Sequence, residues 1–152
     1  MRTTSSTASL IAQFEGCRLK SYQDSAGVWT IGYGTTIYAD GSPVKRGEAV
    51  TLFQAKELQK WQIELKSAAV AKLLKPVVVS QARFDALVSF AYNCGTDALA
   101  KSTLLKLIKK NQDDPAIREA FMAWNKITKN GKKVVSPGLQ VRRQAEADLS
   151  FS

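Results

Sequence analysis

The chain has 152 residues, enough for one domain or two closely packed lobes. Its 22 lysines and arginines stand against 13 acidic residues, a formal net charge of +9, so its surface should attract polyanions. Those could be nucleic acid, anionic lipid or an anionic cell wall. The basic residues are spread along the sequence with no zinc-finger or RNA-binding aromatic signature beside them, and no nucleic-acid partner is expected. There is no histidine, which excludes imidazole bases, serine triads and histidine metal ligands and leaves acid-base chemistry to carboxylates. Cys17 and Cys94 are too few for a disulfide framework, so two free thiols are expected, and no metal or organic cofactor. The start, MRTTSSTASL, lacks the apolar run of a signal peptide or membrane span. Synthesis in a cytoplasm without stable membrane insertion is the expectation.

In chain order, a helix is predicted from Ser5 or Ser6 to Gly16, with Leu10, Ile11 and Phe14 on one face and Glu15 in its last turn. CRLKSYQ, GVWTIGYGTT and TIYA read as a three-stranded antiparallel sheet, with DSAG and ADGSP as turns. From about residue 47 to 75 the pattern is helical, with Val50, Phe53, Leu58, Trp61, Leu65 and Ala68 at three- and four-residue steps before Pro76. Further helices are predicted after Ser80, Ser102, Asp114-Pro115 and Ser136-Pro137, and Asn130-Gly131 marks a hairpin. The class is α+β, with the sheet confined to the first third. A sheet lobe over about 16–46 is joined by a linking helix to a helical lobe over 76–152, on which helix 5–15 packs.

Cleaving a glycosidic bond takes two carboxyl groups, one protonated to release the leaving oxygen and one ionised to activate water or attack carbon. Glu15 stands at a helix C-terminus, where the partial negative charge of the dipole favours the protonated acid. Asp24 lies in the turn QDSAG, where, read alone, it is a turn aspartate bonding its own backbone. Thr30 alone is an ordinary strand threonine.

The surrounding sequence adds to this. FEGCRLKSYQDSAGVWTIGYGTT, followed by SFAYNCG, KSTLLKLI and PGLQVRRQAE, closely resembles the phage-type lysozymes of glycoside hydrolase family 24, which include enzymes of T-even and lambdoid phages. The resemblance covers nearly the whole chain. It implies a lysozyme-like fold, with Glu15 as acid, Asp24 as the catalytic carboxylate and Thr30 as the residue positioning water. It further implies sugar contacts at Thr36, Tyr92, Asn93 and Thr103, in a cleft between the two lobes. Tyr92 read alone is a core aromatic. Arg142 and Arg143 resemble the basic pair that the family packs behind the acid, and they read equally as a solvated charge run. Thr35 departs from the histidine many relatives carry, which puts a structural ion pair in doubt.

The activity implied is that of an endolysin: hydrolysis, with inversion, of the β-1,4 bond between N-acetylmuramic acid and N-acetylglucosamine in bacterial peptidoglycan. A monomer would be made in the host cytoplasm, released through a separate holin pore, and would lyse the cell from the periplasm. Two other readings compete. A lytic transglycosylase would use one acid and the sugar's own hydroxyl, which leaves Asp24 and Thr30 without work. A cationic wall-binding or membrane-disrupting protein would carry its carboxylates incidentally.

Overall fold

The computed structural model describes residue 1 and residues 3–152. The described residues form seven helices and two antiparallel strand pairs, and they divide into two compact units. The smaller is Thr4–Leu65; the larger is Lys66–Ser152 together with Met1 and Thr3.

In the smaller unit, helix α1 (Ser5–Glu15) stops at Gly16, whose φ of +66° is left-handed and whose N–H donates to the Ala12 carbonyl at 2.9 Å. Glycine reaches that conformation without a Cβ penalty, so the helix ends directly after Glu15. Strand β1 (Arg18–Gln23) pairs antiparallel with β2 (Trp29–Gly32), setting Tyr22 opposite Thr30 and Gln23 opposite Trp29. The expected third strand does not form. Gly32 at φ +63° and Gly34 at φ +80° reverse the chain so sharply that Ile31 and Thr35 exchange both backbone hydrogen bonds, at 2.8 and 2.9 Å. Ile31 therefore spends its hydrogen-bonding groups on its own turn. Beyond it only isolated bridges remain, Ile37 with Pro43 and Lys20 with Ala49.

Helix α2 (Leu52–Leu74) starts five residues later than position 47. The Gln54 N–H donates to Thr51 Oγ1 at 3.1 Å while the Thr51 N–H donates to Gln54 Oε1 at 2.9 Å. This reciprocal capping box satisfies two orphan donors and fixes the start. Its buried stripe is Ala55, Gln59, Ile63, Val70 and Leu74, not the Phe53–Leu65 face the spacing suggests; Phe53 is 73% exposed. Apolar residues lie all round this helix, so periodicity alone could not choose the face. Gln59 is a buried polar member of the stripe because its amide donates to the Ala8 carbonyl of α1 at 3.1 Å.

The larger unit contains α3 (Gln81–Cys94), α4 (Thr96–Lys101), α5 (Thr103–Lys110), α6 (Ala116–Met122), strands β3 (Lys126–Lys129) and β4 (Lys132–Val135), and α7 (Pro137–Ser150). The predicted caps are in place: Ser80, Ser102 and Ser136 accept from Arg83, Leu105 and Leu139 backbone N–H groups at 3.1, 3.1 and 3.3 Å. Asn130 and Gly131, at φ +53° and +76°, make the tight turn of the β3–β4 hairpin. That second strand pair extends sheet structure beyond the first third, although the α+β class stands.

The core of this unit is α3, buried all round from Arg83 to Ala91 and packed mainly on α7. Phe90 meets Phe121 and Trp124 edge to face, with centroids 6.1 and 5.5 Å away. Across the α3–α7 contact lies a buried ionic cluster. Glu146 is completely buried; its Oε2 accepts from Ser89 Oγ at 2.6 Å and Arg142 Nε at 3.3 Å, and its Oε1 is 3.0 Å from Arg143 Nη1. Burial pushes the Glu146 carboxyl up, and the two guanidiniums pull it back. Removing one partner of such a pair strands the others in a dry interior. Glu146→Ala should therefore cost about 3–5 kcal/mol. Urea denaturation measures it, and a loss below about 1 kcal/mol, the size of a surface pair, would contradict the role given to this cluster.

Candidate active site

Glu15, Asp24 and Thr30 all lie in the smaller unit. Glu15 is the last residue of α1 and half-buried. The backbone of Gly34 passes so close that a Cβ there would lie 2.7 Å from Glu15 Oε2 and 3.2 Å from its Cδ. The glycine-rich turn that ends the sheet is thus also the wall against which the carboxylate rests.

Asp24 makes the turn bonds of the alternative reading. Its Oδ1 accepts from the Ala26 and Val28 N–H groups, both at 2.9 Å, and its N–H donates to the Val28 carbonyl at 2.9 Å. Those bonds orient the carboxylate and engage Oδ1, leaving Oδ2 as the atom to meet a water. Thr30, 4% exposed, donates from Oγ1 to the same Val28 carbonyl at 2.9 Å. Its hydroxyl proton is thereby committed, and the oxygen lone pairs remain to accept from a water. The Val28 carbonyl, accepting from both, joins Asp24 to Thr30. Nothing in the spacing singles out Val28, whose contribution is entirely backbone.

Tyr22 is a further member of the site. It stands opposite Thr30 across β1–β2, and the Arg18 guanidinium lies over its ring, 4.3 Å from the centroid. Burial pushes its hydroxyl above the ordinary 10.0, Arg18 pulls it down, and Glu15 and Asp24 both push it up. Its hydroxyl therefore lies within electrostatic reach of both carboxylates and stays protonated at neutral pH. The sequence signal was the aromatic two residues before Asp24.

Thr36 follows the turn, half-buried, with its carbonyl accepting from Val44 at 2.9 Å. Thr35 is buried, and its hydroxyl has no hydrogen-bond partner among the described residues. The remaining expected residues lie in the larger unit. Tyr92 and Asn93 end α3, and Asn93 Oδ1 accepts from Arg143 Nη2. Thr103 is the exposed first residue of α5 and lines a cavity of about 630 Å³ with Lys101, Glu119, Trp124 and Lys133. Arg142 and Arg143 are 3% and 0% exposed, so they are not a solvated charge run; their partner is Glu146. Both cysteines are free; Cys17 meets the Tyr33 hydroxyl, and burial pushes the Cys94 thiol up although Arg143 Nη1 stands 3.2 Å away. A thiol shifted that way is not an activated nucleophile.

Known proteins resemble this chain along nearly its whole length. The phage lysozyme family model matches residues 12–146. The endolysin of Acyrthosiphon pisum secondary endosymbiont phage 1 is 39% identical over 140 residues, 92% of this chain and 91% of its own. An endolysin structure from Escherichia coli O157:H7 phage FAHEc1 superposes with a TM-score of 0.89 at 43% identity, covering 100% of this chain and 94% of that one. The muramidase domain of SpmX from Asticaccaulis excentricus gives 0.85 at 29%, covering 99% and 98%. The fold is that of the α+β, lysozyme-like hydrolases. The chain belongs to the phage lysozyme family and is a lysozyme of the endolysin type.

Gly34→Ala tests the contact with Glu15. The substitution places a side chain at φ +80° and drives its Cβ into the carboxylate, whereas Gly41→Ala at φ +87° has open space around its Cβ. Each should lose about 1–2 kcal/mol of stability from the left-handed backbone. Only Gly34→Ala should also lose lytic activity, on the order of a hundredfold for a displaced reacting group. Equal activity of the two variants would show that the Gly34 approach does not position Glu15.

Proposed function

We propose that this lysozyme hydrolyses the β-1,4 bond between N-acetylmuramic acid and N-acetylglucosamine of bacterial peptidoglycan by inversion. Glu15 is the general acid that protonates the leaving oxygen. Asp24 is the base that takes a proton from a water, and Thr30 holds that water as it attacks the anomeric carbon from the opposite ring face. The observation that carries this reading is the shared Val28 backbone, whose N–H and carbonyl hold a carboxylate and a hydroxyl-oxygen acceptor on one stretch of chain. A retaining enzyme would need Asp24 to attack carbon directly, and the water that later hydrolyses the covalent intermediate would come from the Glu15 side, leaving Thr30 beside Asp24 with none to hold. Thr36, Tyr92, Asn93 and Thr103 are proposed sugar contacts, and Arg142 and Arg143 the supports of the acid, all on the resemblance. The enzyme is proposed to act as a monomer in the periplasm after leaving the cytoplasm through a holin pore. No helix among the described residues is long and apolar enough to cross a membrane.

Glu15→Gln preserves shape and removes the transferable proton, so turnover should fall by about 10² to 10⁴ with an unchanged melting curve. Near-normal hydrolysis by a folded Glu15→Gln protein removes Glu15 from the mechanism.

Proton NMR of a fresh digest, read before mutarotation, reports the stereochemistry. An inverting pair, with its carboxyl groups about 6.5 to 9.5 Å apart, gives the α-anomer first. A first-formed β-anomer would make Asp24 a nucleophile, and an anhydro product would indicate a transglycosylase.

A further inference from the structure

The β3–β4 hairpin is exposed at all eight strand positions. It carries Lys126, Lys129, Lys132 and Lys133 and no acidic residue, and none of these lysines has an ion-pair partner among the described residues. The antiparallel register pairs Ile127 with Val134 and Lys129 with Lys132. Side chains alternate between faces along a strand, so these two pairs share one face. It consists of an aliphatic pair, 38% and 39% exposed, followed toward the Asn130-Gly131 tip by two lysines directly opposite each other. Like charges opposed across a ladder are unfavourable in water. Trp124, 37% exposed, stands two residues before β3.

We propose that this face is a docking surface for a bilayer containing acidic phospholipid. Lysine ammoniums are compact point charges suited to headgroup phosphates, and their attraction relieves the opposed Lys129–Lys132 pair. Beneath the headgroups, exposed aliphatic side chains find the acyl boundary. A glycan wall would draw on the lysines and leave Ile127 and Val134 without a partner. Nucleic acid would call for arginines or stacking aromatics on the same face, which it lacks. The attachment is peripheral and reversible, since a two-stranded hairpin cannot satisfy its outer backbone groups within the hydrocarbon core.

The test is co-sedimentation of the full chain with vesicles of phosphatidylcholine, with and without phosphatidylglycerol. The protein should bind only the phosphatidylglycerol vesicles, and less as salt rises. Lys129→Gln with Lys132→Gln should weaken binding by roughly fivefold per lysine removed. Lys56→Gln with Lys60→Gln, the same charge change on α2, should weaken it much less. Ile127→Ser with Val134→Ser should also weaken binding at unchanged charge, which attraction of a cationic protein to any anionic surface would not predict. All variants should melt as the parent does and hydrolyse isolated peptidoglycan at the parent rate, so failure of this proposal is separable from failure of the enzymatic one. The proposal is overturned if the hairpin and α2 lysine pairs weaken binding equally, if the Ile127/Val134 variant binds as the parent does, or if the hairpin variants lose binding to isolated peptidoglycan instead. It is also overturned if the parent does not bind, with the Lys129/Lys132 variant aggregating, in which case the lysines only guard an open strand edge.

Discussion

The turn that carries Asp24 in the smaller unit depends on the backbone of one residue. Val28 donates its N–H to Asp24 and accepts at its carbonyl from both the Asp24 N–H and the Thr30 hydroxyl, all at 2.9 Å. A carboxylate on a free loop would sample many rotamers, and ordering it on substrate binding would cost side-chain entropy. Here a turn completed by backbone hydrogen bonds orients the carboxylate. The structure shows the turn-aspartate reading of Asp24, and the catalytic role proposed for it requires no other conformation.

The two units hold carboxylates for different ends. Asp24 is exposed and tied by backbone N–H groups, an environment suited to an ionised group that must meet water. Glu146 is wholly enclosed with Ser89 and two arginines, where those partners offset its desolvation, and it fastens α7 to α3. Arg143 extends that cluster to Asn93 and over the face of Phe90, so the end of α3 is set by the same charges. A chain without histidine thus assigns its acid chemistry and one of its core contacts to the same side-chain type.

Part of the positive charge of the chain lies where it is least needed for folding. The β3–β4 hairpin contributes no buried residue to the core, yet it holds four lysines within ten residues. Its strands are held by their own ladder and by a turn whose two positive φ values match the strand twist. A self-contained hairpin of this kind can carry recognition residues without disturbing α3 or α7.

By itself the sequence determined the features written in short range. Helix caps at Ser80, Ser102 and Ser136, the glycine stop at Gly16, and the Asn130-Gly131 turn depend on one or two residues and their immediate neighbours, and all are found. The capping box Thr51-x-x-Gln54 was equally local and legible, and it would have placed the start of α2 correctly. The family motif brought Glu15, Asp24 and Thr30 forward as a set. Tertiary structure alone decided what depends on groups distant in the chain or on backbone direction. The two glycines after Ile31 turned a predicted third strand into a closed loop against Glu15, because hydrogen bonds spent within a turn cannot also extend a ladder. Which face of α2 is buried followed from its neighbours, since its apolar residues point in every direction. The burial of Arg142 and Arg143 could not be read locally either: a charge run looks the same exposed or enclosed until Ser89, 57 positions from Glu146, closes over it.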